Sequence, residues 1–432
     1  MVVAQRISST RTALVQWWSD LPPGTRDAIL YGVSAVFAVF MGAFSSALAQ
    51  SRWGWIAAGP FAVAALVALF ASRIRRADQV AWRAVLAVAL TFGVVVAPLV
   101  VEVATREPVG QPEVWVIERS AMYVWHLESP YRSYFSSGHL VNPTQGVPRY
   151  ESFFPYFPLM SVFGVPSAVD HRVSGPTDAR VVMSLCTMFL LGLSLLLLRA
   201  PPSTKLRIAQ VLVVLPTGSV FLATGGDDMP ILALCLFALV LLQRRQTWAT
   251  GVVMGIAAAM KLTAWPFVLS VLLVARDRDG RRSWGRLSLA TGAIVLLAVT
   301  PFALHSTHAF IANVLEFPLG LAGIHSPAAS PLPGHLLTNW YPPLRHVITP
   351  VTFVVGGTYL AMRFRRHWPD SLSESLRILA VVMTVIICTA TATRVGYVVY
   401  PLNFWLWSWV FSEDPSSSDE GVVLVETQVP SR

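Results

Sequence analysis

Apolar runs long enough to be membrane helices recur along almost the whole of this 432-residue chain. No other feature restricts its fold so severely. A helix needs about 20 apolar residues to cross the hydrocarbon core of a bilayer. Within that core every backbone amide must be satisfied by the chain itself, which favours helices. Runs at 28–49, 54–72, 80–101, 179–199, 206–224, 229–243, 286–304, 347–363, 374–391 and 396–411 qualify as candidate spans. The expected fold class is therefore all-α, a polytopic transmembrane bundle of about ten crossings. Composition agrees, because only 13% of residues are charged, against roughly a quarter in soluble domains.

The stretch 249–275 is too long for one ordinary span and carries Lys261 and Pro266 in its middle. Basic residues decide how to read it, since Lys and Arg concentrate on the cytoplasmic side. Arg73, Arg75 and Arg76, then Arg199, Lys205 and Arg207, then Arg244 and Arg245 follow successive spans. Arg276, Arg278, Arg281, Arg282 and Arg286 form a further cluster, and Arg363, Arg365 and Arg366 another. All fall on one side if the N-terminal segment 1–27 is cytoplasmic and 249–275 enters and leaves on that same side. The spacing thus predicts a hairpin of two short helices broken near Lys261 to Pro266, within a membrane domain 28–411. Both termini are then cytoplasmic in a plasma (inner) membrane. The polar, acidic segment 412–432 reads as a disordered tail, and the first residues do not read as a removable signal peptide.

Two long segments, 102–178 and 305–346, are left on the outer side. Both are rich in aromatics and prolines, more than connectors need. The apolar run Tyr156 to Pro166 reads as a short helix lying in the interface. The net charge of +9 is accounted for by orientation signals beside apolar runs, not by a basic face for nucleic acid. Cys186, Cys235 and Cys388 lie far apart inside apolar runs, without metal-site spacing or a disulfide framework.

Chemistry is then to be sought at the outer end. Glu113 and Glu118, the latter followed by Arg119, are carboxylates in an otherwise apolar stretch. Either could take a proton from a hydroxyl, or both could be solvated charges on an amphipathic helix. Asp227 and Asp228 follow Gly225-Gly226 at the outer end of a span, where they can hold a divalent cation, orient an acceptor hydroxyl, or cap the next helix. Lys261 in an apolar stretch needs a partner or water, and an ammonium at a break in a helix suits a phosphate. Arg394, near the outer end of a span, is a phosphate candidate by the same argument. His325 and His335 flank a proline-rich loop without metal spacing. One of them near a cavity could donate to phosphate or sugar, so no metal site is assigned and no resident cofactor is otherwise implied.

Several of these residues fall into a pattern. Glu113 is followed by Glu128-Ser129-Pro130-Tyr131, then by Pro155-Tyr156-Phe157-Pro158 through Gly164-Val165-Pro166. Further on come Gly226-Asp227-Asp228, Arg244-Arg245, and an Ala/Gly-rich helix from Gly251 ending in Met260-Lys261 with Pro266. From about Glu113 to about Arg286 the chain resembles the C-type (GT-C) membrane glycosyltransferases, and within them glycosyltransferase family 87. The chain differs from the family pattern in having Glu for Asp at 113, separated prolines at 155 and 158, and an extra pair of N-terminal spans.

The resemblance implies a site on the outer face with a catalytic acidic residue in the first large outer loop, which falls on Glu113, with Glu118 close behind. It implies a polyprenyl-phosphate-linked sugar donor, mannose or arabinofuranose, and a cell-envelope glycolipid or glycan acceptor. Lys261, Arg394 and Arg119 would face the donor phosphate. Asp227, Asp228, His325, His335 and Tyr131 would face the acceptor, the sugar or a cation. Two rivals share such features: a transporter or flippase of lipid-linked sugars, and a non-catalytic scaffold that binds glycolipid.

Overall fold

The computed structural model describes residues 16–74, 79–105, 110–136, 139–170, 175–278, 280–324, 328 and 330–412. The expected tail from 413 onward and His325 lie outside them. The chain is an all-α bundle. Among the described residues the one sheet is a β-hairpin, β1 (Tyr134–Ser136) antiparallel to β2 (His139–Val141). Among the described residues seven helices are long and apolar enough to cross a membrane, or eight if one bent pair counts as a single span. They are α1 (Pro23–Phe44), α2 (Leu48–Ala71), α3 (Val80–Ala104), α5 (Ala179–Leu197), α11 (Gly280–His305), α13 (Arg345–Arg366, entered through Pro342–Leu344) and α14 (Leu372–Thr389). The bent pair is α6 (Pro202–Val214) and α7 (Pro216–Thr224), at 45°. Its cause is Pro216, which cannot donate into the preceding turn.

Two of the ten expected crossings are shorter than that test requires. The helix α8 (Asp228–Gln243) has 16 residues, a rise of about 24 Å against a core of about 30 Å. It is apolar and buried on every side, as a helix without a polar face must be. Other helices rather than lipid line it, so its ends need not reach either membrane surface. The closing helix α15 (Val399–Val410) has 12 residues. The expected broken hairpin is present as α9 (Thr247–Ala258) and α10 (Trp265–Arg278), with a 3-10 turn at Leu262–Ala264.

The break at Lys261 leaves carbonyls without helical partners, and the long segment 102–178 supplies donors for them. The Phe157 amide donates to the Met260 carbonyl at 3.0 Å, and the Leu159 amide to the Ala259 carbonyl at 3.2 Å. Non-helical backbone at this depth is tolerable only when the protein itself satisfies it in this way. The run Pro158–Val169 therefore packs inside the protein, against α4 (Pro112–Trp125), with Pro158, Met160, Phe163 and Gly164 buried. The two long inter-helical segments, 102–178 and 305–346, are joined by the buried side chain of Asn313. Its Oδ1 accepts from the Phe154 amide and its Nδ2 donates to the Ser133 carbonyl, both at 2.7 Å.

The additional N-terminal helices are fastened to this bundle by close packing and by charge. A Cβ on Gly54 of α2 would stand 2.4 Å from the backbone nitrogen of Gly42 in α1, so the two backbones touch as small-residue interfaces allow. At the end away from the long inter-helical segments, buried Asp27 accepts from Arg83 at 2.6 Å and pairs with Arg207 of α6 at 3.2 Å. Gln210 donates to the Tyr31 hydroxyl at 2.8 Å beside them. A charge trio of this kind is inexpensive only when complete, so it fixes the register of α1, α3 and α6.

Candidate active site

Gly225 ends α7 in the left-handed conformation, φ +94°, where glycine is unstrained. A Cβ there would also meet Val114 at 2.3 Å. This turn delivers Asp227 and Asp228 to the N-terminus of α8, where acidic residues suit the helix dipole. The hairpin tip brings Lys261 between them. Its Nζ lies 2.7 Å from Asp227 Oδ2 and 2.5 Å from Asp228 Oδ1. The Tyr400 hydroxyl of α15 donates to the same Asp228 oxygen at 2.6 Å. Its single proton is thereby committed, so the Thr263 hydroxyl, 2.8 Å away, donates to it. The rings of Tyr156 and Tyr397 stand 5.4 and 5.7 Å from the Lys261 ammonium, within cation–π reach.

Above this core lies a second ion pair. Gln111 is bonded to Thr224 through both backbone, at 3.1 Å, and side chain, at 2.9 Å. That anchors the start of α4 over the Gly225 turn. Pro112 begins the helix, as proline prefers, and Glu113 follows in its first turn. Glu113 Oε1 lies 2.7 Å from Arg394 Nη1. Glu113 Oε2 is buried and has no hydrogen-bond partner among the described residues. An ionised carboxylate oxygen left so is costly unless a ligand completes it.

Five of the expected site residues thus converge: Glu113, Asp227, Asp228, Lys261 and Arg394. Four others are engaged elsewhere. Glu118 accepts from the Ala179 amide at 2.9 Å, so it satisfies the first turn of α5 together with Asp178, which accepts from the Arg180 amide at 2.8 Å. Burial raises the Glu118 carboxyl above its ordinary value. The Ala179 bond opposes that shift, and nearby Asp178 adds to it. Arg119 donates to the Glu151 carbonyl and borders a hollow of only about 10 Å³, room for a water at most. Tyr131 donates to the Tyr156 carbonyl at 2.7 Å and packs edge-on against Phe310. His335 Nδ1 contacts the Thr391 carbonyl at 3.0 Å, bracing the segment that leads to Arg394.

Tyr397, Tyr400 and the Gln111–Thr224 pair are site components that sequence reasoning missed. The two tyrosines are three residues apart near a helix end, where they read as an interfacial aromatic belt. At the opposite end of the bundle, ligand atoms of His367, Asp370 and Glu374 lie within 4.8 Å of one another. Glu374 is already paired there with Arg363 at 2.6 Å, which makes this a surface charge cluster.

The model of glycosyltransferase family 87 matches residues 154–392. No curated protein and no solved structure matches the chain.

Proposed function

The chain belongs to glycosyltransferase family 87, and on that premise we propose that it moves a sugar from a polyprenyl-phosphate donor to a cell-envelope glycolipid or glycan. Mannose and arabinofuranose are the sugars we favour. The reaction takes place at the end of the bundle formed by the two long inter-helical segments. The arginine-rich ends of the helices lie opposite, which by the positive-inside rule supports an extracytoplasmic site and cytoplasmic termini.

One observation carries the reading: the free, buried Oε2 of Glu113, held next to a guanidinium and a locked Lys–Asp–Asp core. In this mechanism Oε2 takes the proton of an acceptor hydroxyl. That oxygen bonds to the anomeric carbon as the bond from carbon to the phosphate oxygen breaks. The electron pair leaves on the polyprenyl phosphate, and the anomeric configuration inverts. Of the two cations, Arg394 is the better placed for the phosphate, since its side chain is 29% exposed and that of Lys261 only 9%. Lys261 is committed to two carboxylates. Its role is to fix the hairpin tip and the turn beneath Glu113. A phosphate leaves readily, so positioning and charge stabilisation dominate over acid catalysis.

The test is reconstitution in liposomes with radiolabelled polyprenyl-phosphate-mannose and polyprenyl-phosphate-arabinofuranose and an envelope glycolipid fraction. Glu113→Gln is expected to lower transfer by roughly 10²–10⁴-fold while remaining folded, and Glu118→Gln to remain active. Full transfer by Glu113→Gln, or retention of configuration, would overturn the mechanism. Donor crossing the bilayer without transfer would replace it with a transporter.

A further inference from the structure

We propose that the Glu113–Arg394 ion pair is a resting state that the donor takes apart. The donor phosphate takes over the Arg394 guanidinium, and Glu113 is released to face the acceptor hydroxyl. This rests on the donor reading above and adds to it a binding order and a control on the base.

Charge supports it first. Glu113, Asp227 and Asp228 face Lys261 and Arg394, which leaves one negative charge in excess when all are ionised. Lys261 is bonded to both aspartates at 2.7 and 2.5 Å, so Arg394 is the cation of this cluster left to meet a phosphate. Arg394 in turn is held at 2.7 Å by Glu113. A phosphate that reaches the guanidinium must compete with that carboxylate, and a guanidinium matches phosphate oxygens in bidentate fashion.

Geometry supports it second. The backbone on either side of Arg394 is pinned to the second outer segment. The Thr393 amide donates to the Ala328 carbonyl at 2.9 Å, the Ser330 amide to the Thr393 carbonyl at 3.0 Å, and the Val395 amide to Ser330 Oγ at 2.9 Å. Arg394 therefore changes partner by moving its side chain alone. Glu113 likewise sits in the anchored first turn of α4. Its Oε2 is already buried without a partner, so only Oε1 must be released.

The consequence is a guarded base. Glu113 is occupied by Arg394 in the empty enzyme and has both carboxylate oxygens available once the donor is seated. The donor binds before the acceptor, and Arg394 acts on the base as a positioning residue as well as on the phosphate.

Binding alone tests this, with no need to know the sugar or the acceptor. The probe is farnesyl phosphate, which reproduces the leaving group, with farnesol as the phosphate-free control, titrated into detergent-solubilised protein of verified monodispersity. Glu113→Gln is expected to bind farnesyl phosphate about tenfold more tightly than the wild type, because the competing carboxylate is gone. Glu113→Ser, run alongside, is expected to show the same gain. Glu118→Gln removes the same charge from the same helix without touching Arg394, and its affinity is expected to stay at the wild-type value. Arg394→Gln should weaken binding, and adding Glu113→Gln to it should restore nothing.

An unchanged affinity in both Glu113 variants would overturn the exchange and leave the donor reading standing. An equal gain in Glu118→Gln would do the same, reducing the effect to net charge. Folded protein that binds farnesyl phosphate no better than farnesol in every variant would sink the donor reading, and the exchange with it.

Discussion

Lys261→Met removes the ammonium at the centre of the buried network and leaves its surroundings sterically almost intact. The side chains concerned are 9% exposed for Lys261, 6% for Asp227 and 15% for Asp228, so water is a poor substitute for the lost cation. Breaking a buried pair by deleting one partner costs about 3–5 kcal/mol, because the remaining charge is left uncompensated. Here two carboxylates lose their partner, and protonation of one of them caps the penalty, so the same range applies. At about 2–4 °C per kcal/mol for a chain of a few hundred residues, the apparent Tm should fall by on the order of 10 °C. Intrinsic tryptophan fluorescence during a thermal ramp in detergent reads this. The decisive comparison is the triple variant Lys261→Met with Asp227→Asn and Asp228→Asn. Deleting a whole buried ionic network is often neutral or stabilising, so the triple variant should recover most of the lost Tm while remaining inactive. A loss below about 1 kcal/mol in the single variant, the size of an exposed pair, would refute the argument. A triple variant no more stable than the single one would refute it equally.

Tyr400→Phe should cost about 1–2 kcal/mol, because the Asp228 oxygen loses its 2.6 Å donor and Thr263 its acceptor, with each hydrogen bond worth about 1 kcal/mol; the same thermal ramp measures it. Gly54→Ala forces a methyl to within 2.4 Å of the Gly42 nitrogen, and overpacking of this kind costs about 1–3 kcal/mol. Limited proteolysis should then cut between α1 and α2 faster than in the wild type. Glu118→Gln keeps an acceptor for the Ala179 amide and removes a carboxyl that burial raises. A raised carboxyl gives its full stability below its unfolded value and loses it as pH climbs through the folded value. The variant should therefore gain on the wild type as pH rises from 4 to 8, and a difference in Tm that does not vary with pH would sink the argument.

Much of the bundle was legible because a membrane span is a local property, set by twenty consecutive side chains. The hairpin was legible for the same reason, since Lys261 and Pro266 interrupt an apolar run that is too long. The short helices were not. That α8 needs only 16 residues depends on the other helices that bury it, and no window of its own sequence records them. The site was legible as parts. Asp227, Asp228 and Lys261 each stand out as charges in apolar surroundings, but 33 residues separate Asp228 from Lys261 and no periodicity announces their pairing. Glu113 and Glu118 were indistinguishable by type and setting. What separates them is the neighbour each one meets, the Ala179 amide for Glu118 and Arg394 for Glu113.

The extent of the family match bears on which parts of the site do what. Asp227, Asp228, Lys261 and the Tyr156 ring all lie within residues 154–392. Glu113 lies well before that range and Arg394 just beyond it. The locked Lys–Asp–Asp core is therefore built from the matched region, whereas both members of the outer ion pair come from its flanks. Physically the two layers answer different needs. The core commits two of the three ammonium donors of Lys261 to carboxylates and has little exposure, which suits a rigid support for a broken helix. The outer pair keeps one carboxylate oxygen free and one guanidinium partly exposed, which suits groups that must change partners. On the proposed exchange, the rigid inner layer keeps the outer pair in register, because Glu113 is fastened through Gln111 and Thr224 to the same turn that carries the aspartates. Loosening that turn should disturb catalysis even in a variant that leaves Glu113 and Arg394 in place.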